Sequence, residues 1–107
     1  MSTIMTVQYT KPGATFASGE EAHDDKISLY GAELNASITD CYAKMVADGV
    51  LLEPVSYAWD QGTELFTVTK VVSTAEAYKT AETFDVDALL VASLSGGWSL
   101  VSYTQSS

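Results

Sequence analysis

The spacing of apolar residues switches repeatedly between a period of two and a period of 3.6, and that alternation is the strongest constraint on the fold. Met5, Val7 and Tyr9 alternate with Thr6, Gln8 and Thr10 and stop at Lys11-Pro12-Gly13. This predicts a half-buried strand over 3–10 closed by a turn. Leu34, Ile38, Cys41 and Met45 recur at helical spacing, with Tyr42 and Val46 widening the stripe. A helix from Ala32 to Asp48 follows, with Gly49 at its C-terminal cap and Asp40–Lys44 as an acid-to-base pair on the outer face. Ile27 to Tyr30 reads either as the first turn of that helix or as a short strand.

Period two returns at Val55, Tyr57 and Trp59. Asp60-Gln61-Gly62 supplies a hairpin turn, and the β-branched run Leu65–Val72 is the return strand. Pro54 puts the first of these strands at a sheet edge, or is simply its first residue. Ser73-Thr-Ala-Glu76 fits a capping box for a second helix carrying Ala77, Tyr78, Ala81 and Phe84. That helix ends near Phe84 or runs on through Ala88 and Ala92. Residues 88–94 and Trp98–Gln105 read as two strands around the Gly96-Gly97 turn.

The stretch from Gly13 to Asp25 is poor in large apolar residues and reads as an acidic loop with Phe16 as its anchor. The expected fold is therefore a single α+β domain over 1–107. Its order suits a ferredoxin-like (split βαβ) two-layer sandwich: an antiparallel sheet, two helices on one face and an extra C-terminal strand.

Composition narrows function more than it defines it. The 107 residues contain 14 Asp and Glu against five lysines and no arginine, a formal charge of −9. Phosphate recognition depends on Lys and Arg, so direct nucleic-acid binding is disfavoured, and an anionic membrane surface would repel the chain. Mimicry of a phosphate array is disfavoured too, because Ser93–Ser107 holds no carboxylate. No segment reads as a signal peptide or membrane span, which makes the cytoplasm the default compartment. The lone Cys41 excludes an internal disulfide and lies on the apolar stripe of its helix, so it reads as a core residue.

Candidate chemistry is sparse. Glu20, Glu21, His23, Asp24 and Asp25 form the one dense polar cluster and include the one histidine. The EF-hand spacing is absent, and a transition-metal site would want more than one imidazole or thiolate. No metal, cofactor or catalytic set is expected. No G-x-S-x-G elbow is present, and Gly96-Gly97 lacks the spacing of a phosphate loop.

The leading expectation is a small, acidic, non-enzymatic interaction domain, an inhibitor or adaptor of a type that phages also carry. It would dock a protein partner, preferentially a basic one, through Tyr57 and Trp59, with the cluster from Glu20 to Asp25 steering the encounter. Two alternatives accompany it. One is self-association into a homo-oligomer through Trp98, Leu100 and Tyr103 on an acid-free strand. The other is a ligand-binding or cofactor-free enzyme domain, with tyrosines, His23 and a carboxylate around a pocket between helices and sheet.

Overall fold

The alternating segments pair into one antiparallel sheet, as period-two patterns require when one face is buried. The structure is a computed structural model and describes residues 2–84 and 95–106. Its elements are β1 (Thr3–Thr10), α1 (Gly19–Ile27), α2 (Ala32–Ala47), β2 (Ser56–Asp60), β3 (Leu65–Val72), α3 (Ala75–Ala81) and β4 (Ser99–Ser106). The strands lie in the order β2-β3-β1-β4, with every neighbouring pair antiparallel. The fold is a mixed α+β one, with three helices among the described residues where two were expected of the chain. The expected strand over 88–94 lies outside the described residues, and β4 itself pairs with β1.

The register sorts the side chains. Val7 faces Val68 on β3 and Tyr103 on β4, while Val68 faces Tyr57 on β2. These residues lie on the helix-covered side. The reverse side carries Thr6, Gln8, Thr67, Thr69 and Ser102, the polar outer face usual for an antiparallel sheet. Across it Gln8 Nε2 donates to Thr67 Oγ1 at 3.3 Å, and Ser102 Oγ donates to Gln8 Oε1 at 3.2 Å.

The acidic segment expected as a loop is partly helix, α1. Ser18 caps it, its hydroxyl accepting from the Glu21 amide at 3.2 Å, while Glu21 Oε2 accepts from the Ala17 amide at 3.3 Å. Ser18-Gly-Glu-Glu21 is thus close to a capping box. The helix buries Gly19, Ala22 and Lys26, a stripe without one large apolar side chain. Close approach explains the choice of residues: a Cβ on Gly19 would stand 2.2 Å from the backbone oxygen of Tyr57. The remainder of the expected loop is pinned. Gln61 Oε1 accepts from the Phe16 amide at 3.1 Å, and Glu64 Oε2 accepts from the Gly13 amide at 2.7 Å.

Other differences are local. Residues 28–30 form turns between α1 and α2, neither a strand nor the first turn of α2. Lys44 donates to Asp48 at 2.9 Å, beyond the helix end. Thr74, not Ser73, caps α3, its Oγ1 accepting from the Ala77 amide at 3.0 Å. That helix ends at Ala81, because Glu82 turns to an extended conformation.

The core divides in two. Met5, Cys41, Met45, Leu51, Val72, Tyr78 and Phe84 pack together beneath α2 and α3. Ala22, Phe66 and Trp98 form a second cluster beneath α1, with Phe16, Tyr57 and Trp59 against it.

Gly19→Ala is expected to lower stability by about 1–3 kcal/mol in urea titration, because the methyl meets backbone that cannot move aside. Gly62→Ala is the control, since its Cβ would meet only the Asp60 carboxylate at 3.3 Å. An unchanged midpoint for Gly19→Ala would refute the close packing of α1 on β2.

Candidate functional site

Between the two core clusters the helix-side face of the sheet is not filled by side chains. A cavity of about 670 Å³ opens there, floored by Met5, Val7, Val68 and Lys70 and walled by α1, α2 and α3. Its lining is mainly apolar and aromatic, with polar groups at a few points, the usual composition of a small-molecule site.

Three of the protein's five lysines, Lys26, Lys70 and Lys79, line it, together with Glu76 and Glu82. Lys26 projects from α1 and is only 3 % exposed. Its ammonium lies 4.1 Å from the Tyr9 ring centroid and 4.8 Å from that of Tyr30, and it donates to the Tyr30 hydroxyl. Lys70 occupies an inward register position on β3. Its Nζ is 5.1 Å from the ring centroids of both Tyr42 and Tyr78 and donates to the Tyr78 hydroxyl at 2.8 Å.

Burial pushes the Lys26 ammonium down to about 8, and the positive charge of Lys70 adds to the effect. Burial also lowers Lys70 to about 8, against a smaller opposing pull from Glu82. Lysines lose affinity for their proton when water is removed around them, so both are poised near neutrality. Burial raises both the Tyr42 and the Tyr78 phenols above the ordinary tyrosine value. The tyrosines therefore stay protonated as donors. His23 also lines the cavity, its ring stacked 3.9 Å from that of Tyr57. Burial lowers its pKa, with Asp24 pulling the other way.

The residues singled out in the sequence scatter. Glu20, Glu21 and Asp24 are exposed on α1, on the side away from the sheet. Asp25 instead is a structural tie: its Oδ2 accepts from Lys11 Nζ at 2.6 Å and from Trp98 Nε1 at 3.0 Å. Tyr57 packs 6.0 Å from Phe66, ring to ring, and Trp59 meets Phe16 edge-on at 4.9 Å. Neither forms an open aromatic face, because α1 and the Phe16 segment cover them. Trp98 is 1 % exposed and so leaves the proposed self-association set, while Leu100 and Tyr103 are each 50 % exposed. Cys41 is buried, its Sγ donating to the Ala81 carbonyl at 3.4 Å. Among the described residues no group of His, Cys, Asp and Glu could hold a metal ion, and no helix is long and apolar enough to cross a membrane.

Sequence reasoning missed both lysines beneath the helices, buried Lys26 and half-buried Lys70. The signal for Lys70 was present, since Phe66, Val68, Lys70 and Val72 share one side of a period-two strand. Lys26 was hidden because it falls between the segment read as a loop, Gly13 to Asp25, and the one that begins at Ile27.

No protein-family model matches the chain, nor does any curated protein or solved structure with which it was compared. Function must therefore be argued from the cavity itself.

Holding a lysine neutral-prone costs stability wherever the unfolded chain keeps it charged. Both folded values lie below the ordinary 10.5, so the cost is fully present below pH 8. Between about pH 8 and 10.5 the unfolded state binds more protons, and stability rises with pH. Raised tyrosines oppose this only above about pH 10. Lys70→Met is expected to stabilise the protein by about 1–3 kcal/mol at pH 7 and to flatten the rise between pH 8 and 9.5. Urea unfolding across that range checks both effects.

Proposed function

We propose that this protein binds a small amphipathic organic anion, an apolar body bearing a carboxylate or similar group, in the cavity between sheet and helices. The observation that carries the proposal is the placement of charge. A chain of formal charge −9 lines this apolar cavity with three of its five lysines. Buried cations that lower stability are retained at functional sites more often than elsewhere. An anionic ligand would restore full protonation of Lys70, and the Tyr42, Tyr78 and Tyr103 hydroxyls could hydrogen-bond its oxygens.

The sheet is read here as a ferredoxin-like (split βαβ) sandwich with an additional helix between β1 and β2. What supports this is the interleaved order, with β3 between β1 and β2 and β1 between β3 and β4. In such a layout the cavity sits where the helices diverge over the sheet.

Docking of a basic protein partner is the weaker reading. The exposed acids of α1 would steer it, but Tyr57 and Trp59 are engaged in packing, and interfaces draw most of their energy from anchors of that kind. Self-association keeps one supporting observation. Among the described residues β4 is an edge strand, with Leu100, Val101 and Tyr103 each about half exposed.

Binding is tested by displacement of the fluorescent anion 1-anilinonaphthalene-8-sulfonate with a series of straight-chain carboxylates. Micromolar to millimolar affinity is expected, weakened about tenfold or more by Lys70→Met and declining as pH rises through 8. Equal binding by wild type and Lys70→Met across pH would overturn the reading. For the second reading, light scattering during gel filtration should show a dimer that Leu100→Lys dissociates. A strict monomer at high concentration refutes it.

A further inference from the structure

A second, smaller cavity of about 380 Å³ adjoins the first, and His23, Ile27, Ile38, Tyr42, Val55 and Tyr57 line both. Asn35, in the first turns of α2, lines only the smaller one. Its Nδ2 donates to the Ile27 carbonyl at 2.8 Å, which fixes the amide orientation. The other end of that amide is the anomaly. Among the described residues Asn35 Oδ1 is the one buried side-chain polar atom without a hydrogen-bond partner. An acceptor left unmet in an apolar setting is destabilising, so such groups call for an explanation.

We propose that the smaller cavity is a second subsite of the same binding site, where Asn35 Oδ1 accepts a hydrogen bond from a hydroxyl or N–H on the ligand's apolar end. The inference rests on the anion-binding reading above and adds the class of ligand: an organic acid carrying a donor remote from its acidic group. The helix sets the separation. Asn35 and Tyr42 are seven residues apart on α2, about 10 Å along its axis, and the Tyr42 ring lies beside the Lys70 ammonium. A medium-chain ω-hydroxy acid spans such a distance, with its carboxylate at the lysines and its hydroxyl at Asn35.

Decanoate and its ω-hydroxy derivative are the probes, titrated by isothermal calorimetry against wild type and Asn35→Leu. The hydroxy acid is expected to bind wild type about tenfold more tightly, and Asn35→Leu should abolish or reverse that preference. Should Asn35→Leu fold poorly, the side-chain amide resonances of Asn35 in wild type give an independent reading. They should shift with ω-hydroxydecanoate and not with decanoate. Equal affinities and an unmoved amide would mean that no ligand group reaches Asn35, overturning the subsite while leaving anion binding in place. Failure of both probes to bind would remove the subsite and count against the anion reading as well.

Discussion

One carboxylate on α1 ties together the segments beside the first and last strands of the sheet. Asp25 Oδ2 accepts both the Lys11 ammonium, just after β1, and the Trp98 indole, just before β4. Charge-assisted bonds of this length hold firmly when partly shielded from water. They seat α1 on the Phe66–Trp98 cluster, and Gly19 lets its first turn reach the β2 backbone. Once α1 is seated, Ala22 lies in the core and Lys26 has no route to bulk water. Retention of the buried ammonium follows from a bond made one residue earlier.

The second consequence is the cavity. Two clusters pack tightly at opposite ends of the helix-side sheet face, one centred on Met45 and Val72, the other on Phe66 and Trp98. Neither reaches across the middle, where Val7, Val68 and Lys70 stay partly exposed. A gap in a core forfeits dispersion contacts, and two lysines brought into it add a desolvation cost. The tyrosine rings and hydroxyls offset part of that cost through cation–π contact and hydrogen bonding. Sacrifice of stability at one concave place is the pattern of a site kept for binding.

Legibility in the sequence followed side-chain size. The strands at 3–10, 56–60 and 65–72 and the helix at 32–47 carry large apolar residues at unmistakable periods, and all four form where the periods put them. Helix α1 escaped because its contact stripe is Gly19, Ala22 and Lys26, which no hydrophobicity pattern marks. Its cap, Ser18-Gly-Glu-Glu21, was the readable clue. Tyr57 and Trp59 were legible as strand residues, but periodicity could not tell whether they pack in the core or meet a partner. Trp59 and Trp98 are covered only because Phe16, far earlier in the chain, inserts against both rings.

By itself the sequence determined the α+β class, the sheet-forming segments and the exclusion of disulfide chemistry, because these depend on local periodicity and on residue counts. Tertiary structure alone decided which acids are structural, which aromatics are covered and where the scarce lysines meet. Those outcomes depend on contacts between residues far apart in the chain: Asp25 with Trp98, Gly19 with Tyr57, Lys70 with Tyr42. Burial, and with it the charge state of Lys26 and Lys70, arises only when those distant segments close over one another.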